Sequence, residues 1–238
     1  MKKIFLFAVQ LIFASIISGQ NKLILFNANL IDGIANVEKR NMMIFISNGK
    51  IESVKKDGKK PKGYGLVDLN GMYLLPGFID AHTHIRSIDA ANRALESGVT
   101  TARSASTPNF QDISIREMVK TGALIGPDMI ATGVFVTPNL GETILADTRL
   151  GDLHGGVHKE DDLRKVVRVN AKRGVDFIKT RGTERAGLPQ TDPRKQTYTE
   201  SQLKIIVDEA NKYKIPVMAH AHGDEGGYAA VKAGVKSI

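Results

Sequence analysis

The 238-residue chain is 42% apolar and 24% charged, a globular balance that excludes wholesale disorder and leaves room for one large domain or two small ones. It contains no cysteine, which excludes a disulfide framework and a thiolate metal site, so any bound metal must use His, Asp, Glu or modified Lys. The net charge is +8, yet the one cationic cluster, Lys55 to Lys62, is broken by Asp57, Gly58 and Pro61 and lacks the interleaved aromatics or basic helix of a nucleic-acid surface.

In chain order, Met1-Lys2-Lys3 and the apolar run Ile4 to Ile17 precede the small residues Ser18 and Gly19. The run is shorter than the roughly 20 residues that cross a bilayer, so residues 1–20 read as a signal peptide rather than an anchor. The expected product is exported, periplasmic or secreted, with no membrane attachment, because no cysteine follows to carry a lipid. Short β-rich runs then follow at Lys22 to Asn27, Met42 to Ser47, Lys50 to Val54, Gly65 to Leu69 and Met72 to Leu75. Asn48-Gly49 has the composition of a two-residue hairpin turn. Residues 21–76 are therefore expected to form a small β-sandwich portion, left at Pro76-Gly77.

From Phe78 onward strand and helix patterns alternate. Strands are predicted at Phe78 to His84, Thr100 to Ser106, Asp128 to Val134, Phe177 to Arg181 and Pro216 to His222, with another opening at Val235. Helices are predicted at Ala90 to Ser97, Ile113 to Leu124, His158 to Arg173, Thr199 to Lys214 and Tyr228 to Ala233. The long connection from Phe135 to Val157 reads as an active-site loop. This alternation implies parallel strands, either in a (β/α)8 TIM barrel or in an open doubly wound sheet. The open sheet normally carries a Gly-rich phosphate turn after its first strand, and His82-Thr83-His84 stands there instead. The α/β expectation for residues 77–238 is thus a partial barrel of about five β/α units plus the start of strand six. A closed barrel takes about 250 residues, so the sequence reads as C-terminally truncated.

Three strand ends carry residues that packing does not explain. In Pro76-Gly77-Phe78-Ile79-Asp80-Ala81-His82-Thr83-His84, strand alternation puts Asp80, His82 and His84 on one face. Neighbouring neutral imidazoles can grip a divalent metal. In Phe177 to Arg181, an Ile178 face packed on helices turns Lys179 inward, where a lone ammonium must be paired (Asp80 is one candidate), deprotonated or chemically modified. A neutral amine there can take up carbon dioxide as a carbamate. In Pro216 to His222, Met218, His220 and His222 share a face. In a barrel these groups converge at the C-terminal ends of the strands, the active-site face of that architecture.

The motifs P-G-F-I-D-A-H-T-H, G-V-D-F-I-K-T and V-M-A-H-A-H-G-D-E-G-G, in this order after a β-rich unit, resemble the amidohydrolase superfamily. The nearest group is the imidazolonepropionase-like and Xaa-Pro dipeptidase (prolidase) branch. The resemblance implies a two-metal hydrolase, usually with zinc, in which His82, His84 and His220 are ligands and Lys179 is the carboxylated bridge. It leaves His222 and Arg181 as substrate contacts, and it puts a further His and the proton-accepting Asp beyond Ile238, with no catalytic acid or base in the chain itself. Ser104 stands where the group commonly has Asp, so the resemblance does not fix the substrate subgroup.

The expected reaction is hydrolysis of an amide-type C–N bond in a small molecule such as a dipeptide, an acylated amino acid or a cyclic amide. The same site would also suit a lactone or phosphotriester. The reading from a different class is an inactive fragment or degenerate metal-binding protein. Self-association is left open by the sequence.

Overall fold

The computed structural model describes residues 22–187 and 189–238, so the signal-peptide reading of residues 1–20 lies outside the described residues. The chain divides into two units, with the boundary between Pro76 and Gly77. The strands of the first are β1 (Lys22–Leu30), β2 (Lys39–Ser47), β3 (Lys50–Lys56), β4 (Gly65–Asp68) and β5 (Tyr73–Leu74). Asn48 and Gly49, between β2 and β3, have φ of 50° and 73°, the pair of left-handed residues that a tight hairpin needs. The strand order is β3-β2-β1-β4, and β5 also pairs with β1. Ile24 lies opposite Phe45, and both join Met43 in the buried cluster of this sheet.

The expected sandwich is corrected here: among the described residues these strands make a single sheet. The cause is the length of β1, which pairs with β2 along one edge and with β4 and then β5 along the other. The short late strands therefore extend one layer instead of building a second.

The second unit is mixed α/β. It runs β6 (Phe78–Thr83), α1 (Ile88–Glu96), β7 (Val99–Ser104), α2 (Gln111–Lys120), β8 (Asp128–Ile130), α3 (Glu160–Lys172), β9 (Ile178–Arg181), α4 (Glu200–Asn211), β10 (Val217–His220) and α5 (Asp224–Ala233). Parallel ladders join β6-β7-β8 and β9-β10. Between these ladders, Asp176 N donates to Ala131 O at 2.8 Å and Val136 N to Lys179 O at 2.9 Å, so backbone bonding continues from the segment after β8 into β9. A parallel bridge from Met218 to Ser237 opens the next strand.

Ile178 on β9 shares a buried cluster with Leu163 and Val166 of α3 and Leu203 and Ile206 of α4. Period-two alternation then sends Lys179 to the opposite face. At the start of α4, Gln202 N donates to Thr199 Oγ1 at 3.3 Å and Thr199 N donates to Gln202 Oε1 at 3.0 Å, a reciprocal cap on the predicted N-terminal residue.

Two elements differ from their predicted form. The Phe135 to Val157 connection contains 3-10 turns at Gly141–Ala146, Thr148–Leu150 and Leu153–Gly155, anchored by buried Leu140, Leu150, Leu153 and Val157. Helix α5 starts at Asp224 rather than Tyr228, with Gly226 and Gly227 inside its first turns. Gly226 marks a close backbone approach instead of a break: a Cβ there would lie 2.2 Å from Gly182 O, just past β9.

In the full-length protein, Gly226→Ala is expected to cost about 1–3 kcal/mol through this overlap. Gly227→Ala, whose Cβ would meet only Ala221 Cβ at 3.8 Å, is expected to be neutral or mildly stabilising. Urea midpoints at constant slope distinguish the two.

Candidate functional site

The C-terminal ends of β6, β9 and β10 place His82, His84, Lys179, Arg181, His220 and His222 around one cavity of about 500 Å³. His82, Lys179, Arg181 and His220 arrive by strand alternation. His84 sits one residue past β6 and His222 two residues past β10, both strands ending earlier than predicted. The rings of His82 and His84 meet edge-on at 5.8 Å, and those of His220 and His222 at 4.5 Å.

Backbone carbonyls orient the imidazoles. His84 Nδ1 lies 2.8 Å from Ser106 O, and a carbonyl only accepts, so the hydrogen is on Nδ1 and the tautomer selected is the one with its electron pair on Nε2. His220 is the reverse: its Nε2 donates to Glu184 O at 3.2 Å and leaves the pair on Nδ1. Burial pulls His220 down to about 4 against the opposing effect of that hydrogen bond, and the neighbouring His222, Lys179 and Arg181 lower it further. Burial, Lys179 and His84 also lower His82. Both are therefore neutral and able to donate electron pairs near pH 7.

Lys179 is fully buried, and its Nζ has no hydrogen-bond partner among the described residues. The ion pair with Asp80 that the sequence left open is not formed. Burial, followed by the nearby cations of Arg103 and Arg181, pulls the amine down to about 8. The Phe135 ring faces both cations, 5.8 Å from Lys179 Nζ and 4.8 Å from Arg181 Cζ. Arg181 Nε is likewise buried without a partner among the described residues. Burial and the neighbouring Arg185 lower this guanidinium.

The lining also includes Phe135 and Thr137 from the connection expected to be an active-site loop, and Arg86, Arg185, Ser106 and Thr107, which the sequence reading missed; the described lining contains no Asp or Glu. The run of H-x-H-x-R from His82 to Arg86 was a usable signal for Arg86; the others sit on loops with no periodicity to read. Ser104, singled out in the sequence, is fully buried rather than in the lining, and its Oγ has no partner among the described residues.

Among the described residues no three His, Cys, Asp or Glu side chains converge to hold a metal by themselves. The histidine pairs stand on the first and last strands of the parallel series, with Lys179 on β9 adjoining β10. The donor chemistry nevertheless fits a divalent ion: imidazoles oriented by backbone carbonyls, and a buried amine with no hydrogen-bond partner among the described residues.

A profile described as the Amidohydrolase family matches residues 73–238. The fold is similar to that of a Xaa-Pro dipeptidase crystallised with methionine in its active site, at TM-score 0.76 and 25% identity, covering 90% of this chain and 60% of that one. Ochratoxinase from Aspergillus niger is 24% identical over 241 aligned positions, covering 84% of this chain and 50% of the relative. Dihydroorotase from Syntrophus aciditrophicus is 39% identical over 66 positions, 27% of this chain and 15% of the relative. The chain thus spans about half the length of the ochratoxinase it matches.

With its folded value near 8 against an ordinary 10.5, Lys179 carries the full cost of a buried charge below pH 8 and none above about 10.5, where neither folded nor unfolded state is protonated. Metal-free Lys179→Met in the full-length protein is therefore expected to be more stable than its parent at pH 7, by on the order of 3 kcal/mol. The difference should close as pH rises from 8 to 10.5, as urea unfolding in carbon-dioxide-free buffer at pH 7 and pH 10 will show.

Proposed function

The chain belongs to the amidohydrolase family, and on that premise we propose that the full-length protein is an exported, metal-dependent hydrolase of amide-type C–N bonds in small molecules: dipeptides, acylated amino acids or cyclic amides. In this reading the second unit supplies five β/α units and the start of the sixth strand of an eightfold barrel. His82, His84 and His220 would be the ligands of two divalent ions, zinc by preference, and Lys179, once carboxylated, would supply the shared anionic oxygen donor. When bound, such ions lower the pKa of water and polarise a carbonyl.

The observation that carries the reading is Lys179. A buried amine without a hydrogen-bond partner among the described residues, pulled down to about 8, has a reactive neutral form at ordinary pH. Its nitrogen pair can add to carbon dioxide with loss of one proton, and the resulting carbamate turns an uncompensated cation into an anionic oxygen donor. His84 contributes its Nε2 pair and His220 its Nδ1 pair, each fixed by a carbonyl behind the ring. We assign no general base to residues 1–238.

The cationic lining favours a substrate with a free carboxylate over a neutral lactone or phosphotriester. Arg181, stacked on Phe135 and lacking a partner at Nε, is the group to receive that carboxylate, with His222 beside it. Xaa-Pro dipeptides, named for a structural relative, are carboxylate-bearing amides of this class and the first compounds to assay.

The zinc-loaded full-length protein is expected to hydrolyse members of a panel of dipeptides, acylated amino acids and cyclic amides faster than lactones or phosphotriesters. His82→Ala combined with His84→Ala should lower metal affinity and turnover by more than about 100-fold, since even outer groups behind a ligand cost 10–100-fold. No divalent metal in the purified protein, or unchanged binding in the double variant, would sink the reading. Arg181→Met should raise KM for carboxylate substrates about tenfold or more with a smaller change in kcat, and should leave the amidated analogues unaffected.

A further inference from the structure

Behind His84 lies a buried polar clasp that the reaction itself does not use. Asp112, in the first turn of α2, is fully buried and makes no ion pair among the described residues. Its Oδ1 accepts from Thr107 Oγ1 at 3.0 Å, and its Oδ2 accepts from Thr132 N at 2.9 Å and Gly133 N at 3.0 Å. Thr107 N in turn donates to Gly133 O at 2.8 Å, and Thr132 Oγ1 to Ser104 O at 2.8 Å. One carboxylate thus ties the loop after β7 to the segment after β8, on both sides of Ser106.

Ser106 needs such a tie. It is a buried non-glycine residue at φ 105°, a region that L side chains rarely occupy unless the flanking structure holds them there. Its carbonyl is the acceptor that fixes His84 Nδ1–H.

We propose that Asp112 is a positioning residue: by clamping Thr107 onto the Thr132-Gly133 backbone it holds the Ser106 carbonyl against His84 Nδ1, so that Nε2 is presented to the cavity with its electron pair free. The inference rests on the functional reading only in treating His84 as a metal ligand; the tautomer itself is a property of the metal-free protein. A packing role alone would set stability without selecting a tautomer.

The test uses full-length, metal-stripped, 15N-histidine-labelled protein at pH 8, reading the His84 tautomer from two-bond 1H–15N correlations and zinc affinity by titration. The parent is expected to show only the Nδ1–H form. Asp112→Ala should populate the Nε2–H form and weaken zinc binding about tenfold or more. Asp112→Asn should restore both in large part: its amide oxygen can serve the Thr132 and Gly133 N–H groups while its NH2 donates to Thr107 Oγ1, and only the local bond that Ile113 N donates to Oδ1 at 3.0 Å is lost. Should Asp112→Ala fail to fold, Thr107→Val removes one bond of the clasp and is expected to shift the tautomer partway. A folded Asp112→Ala, or in its place Thr107→Val, with the parent tautomer and parent zinc affinity would overturn the proposal. A protein that responds in tautomer but binds no zinc defeats the functional reading and leaves the clasp standing; one that binds zinc and cleaves amides without a tautomer response does the opposite.

Discussion

The second unit is organised around a lysine that has nowhere to put its charge. Strand alternation commits Ile178 to the helices α3 and α4, and the same alternation commits Lys179 to the interior beneath the cavity. Burial with no partner is the least favourable setting for an ammonium, and Arg103 and Arg181 worsen it by adding like charge. Stability alone would favour an apolar residue there. The cost is understandable if the amine is converted to an anion, the role proposed for it among the histidine pairs.

The surroundings are built to keep a few atoms still. Carbonyls of Ser106 and Glu184 hold His84 and His220 in opposite tautomers, so their electron pairs are set before any ligand arrives. Those carbonyls belong to loops, and loops hold position only when tied down. Asp112 ties the first, while Asn170 pins the next segment by accepting from Val134 N at 2.9 Å and donating to Val134 O at 2.9 Å. On the far side, the Gly182-Gly226 approach brings the start of α5 against the end of β9, and Gly182 N donates to His220 O at 2.7 Å. Any Cβ at those glycines would spread the elements that carry Lys179 and His220.

Much of this was legible in advance, for identifiable reasons. The strand bearing Lys179, the helix capped by Thr199 and the hairpin at Asn48-Gly49 are written in short-range terms, as alternation, a capping side chain and a turn dipeptide. The misread elements depend on distant partners. Gly226 and Gly227 look like helix breakers until Gly182 is brought against Gly226, and the first unit looks like a sandwich until β1 proves long enough to serve both edges of one sheet. Arg185, Ser106 and Thr107 escaped because no period says which way a side chain points on a loop or at its start.

The order and period of the residues alone therefore determined that His82, His84, Lys179, Arg181, His220 and His222 lie at strand ends in an α/β unit, because a two-residue repeat decides side-chain direction locally. They could not say whether Lys179 would find a counter-charge, which nitrogen of each histidine would be free, or that the cavity lining would hold three arginines and, among the described residues, no carboxylate. Those properties were settled by folding, since pairing, tautomer and field are sums over neighbours that come from every strand and loop of the site.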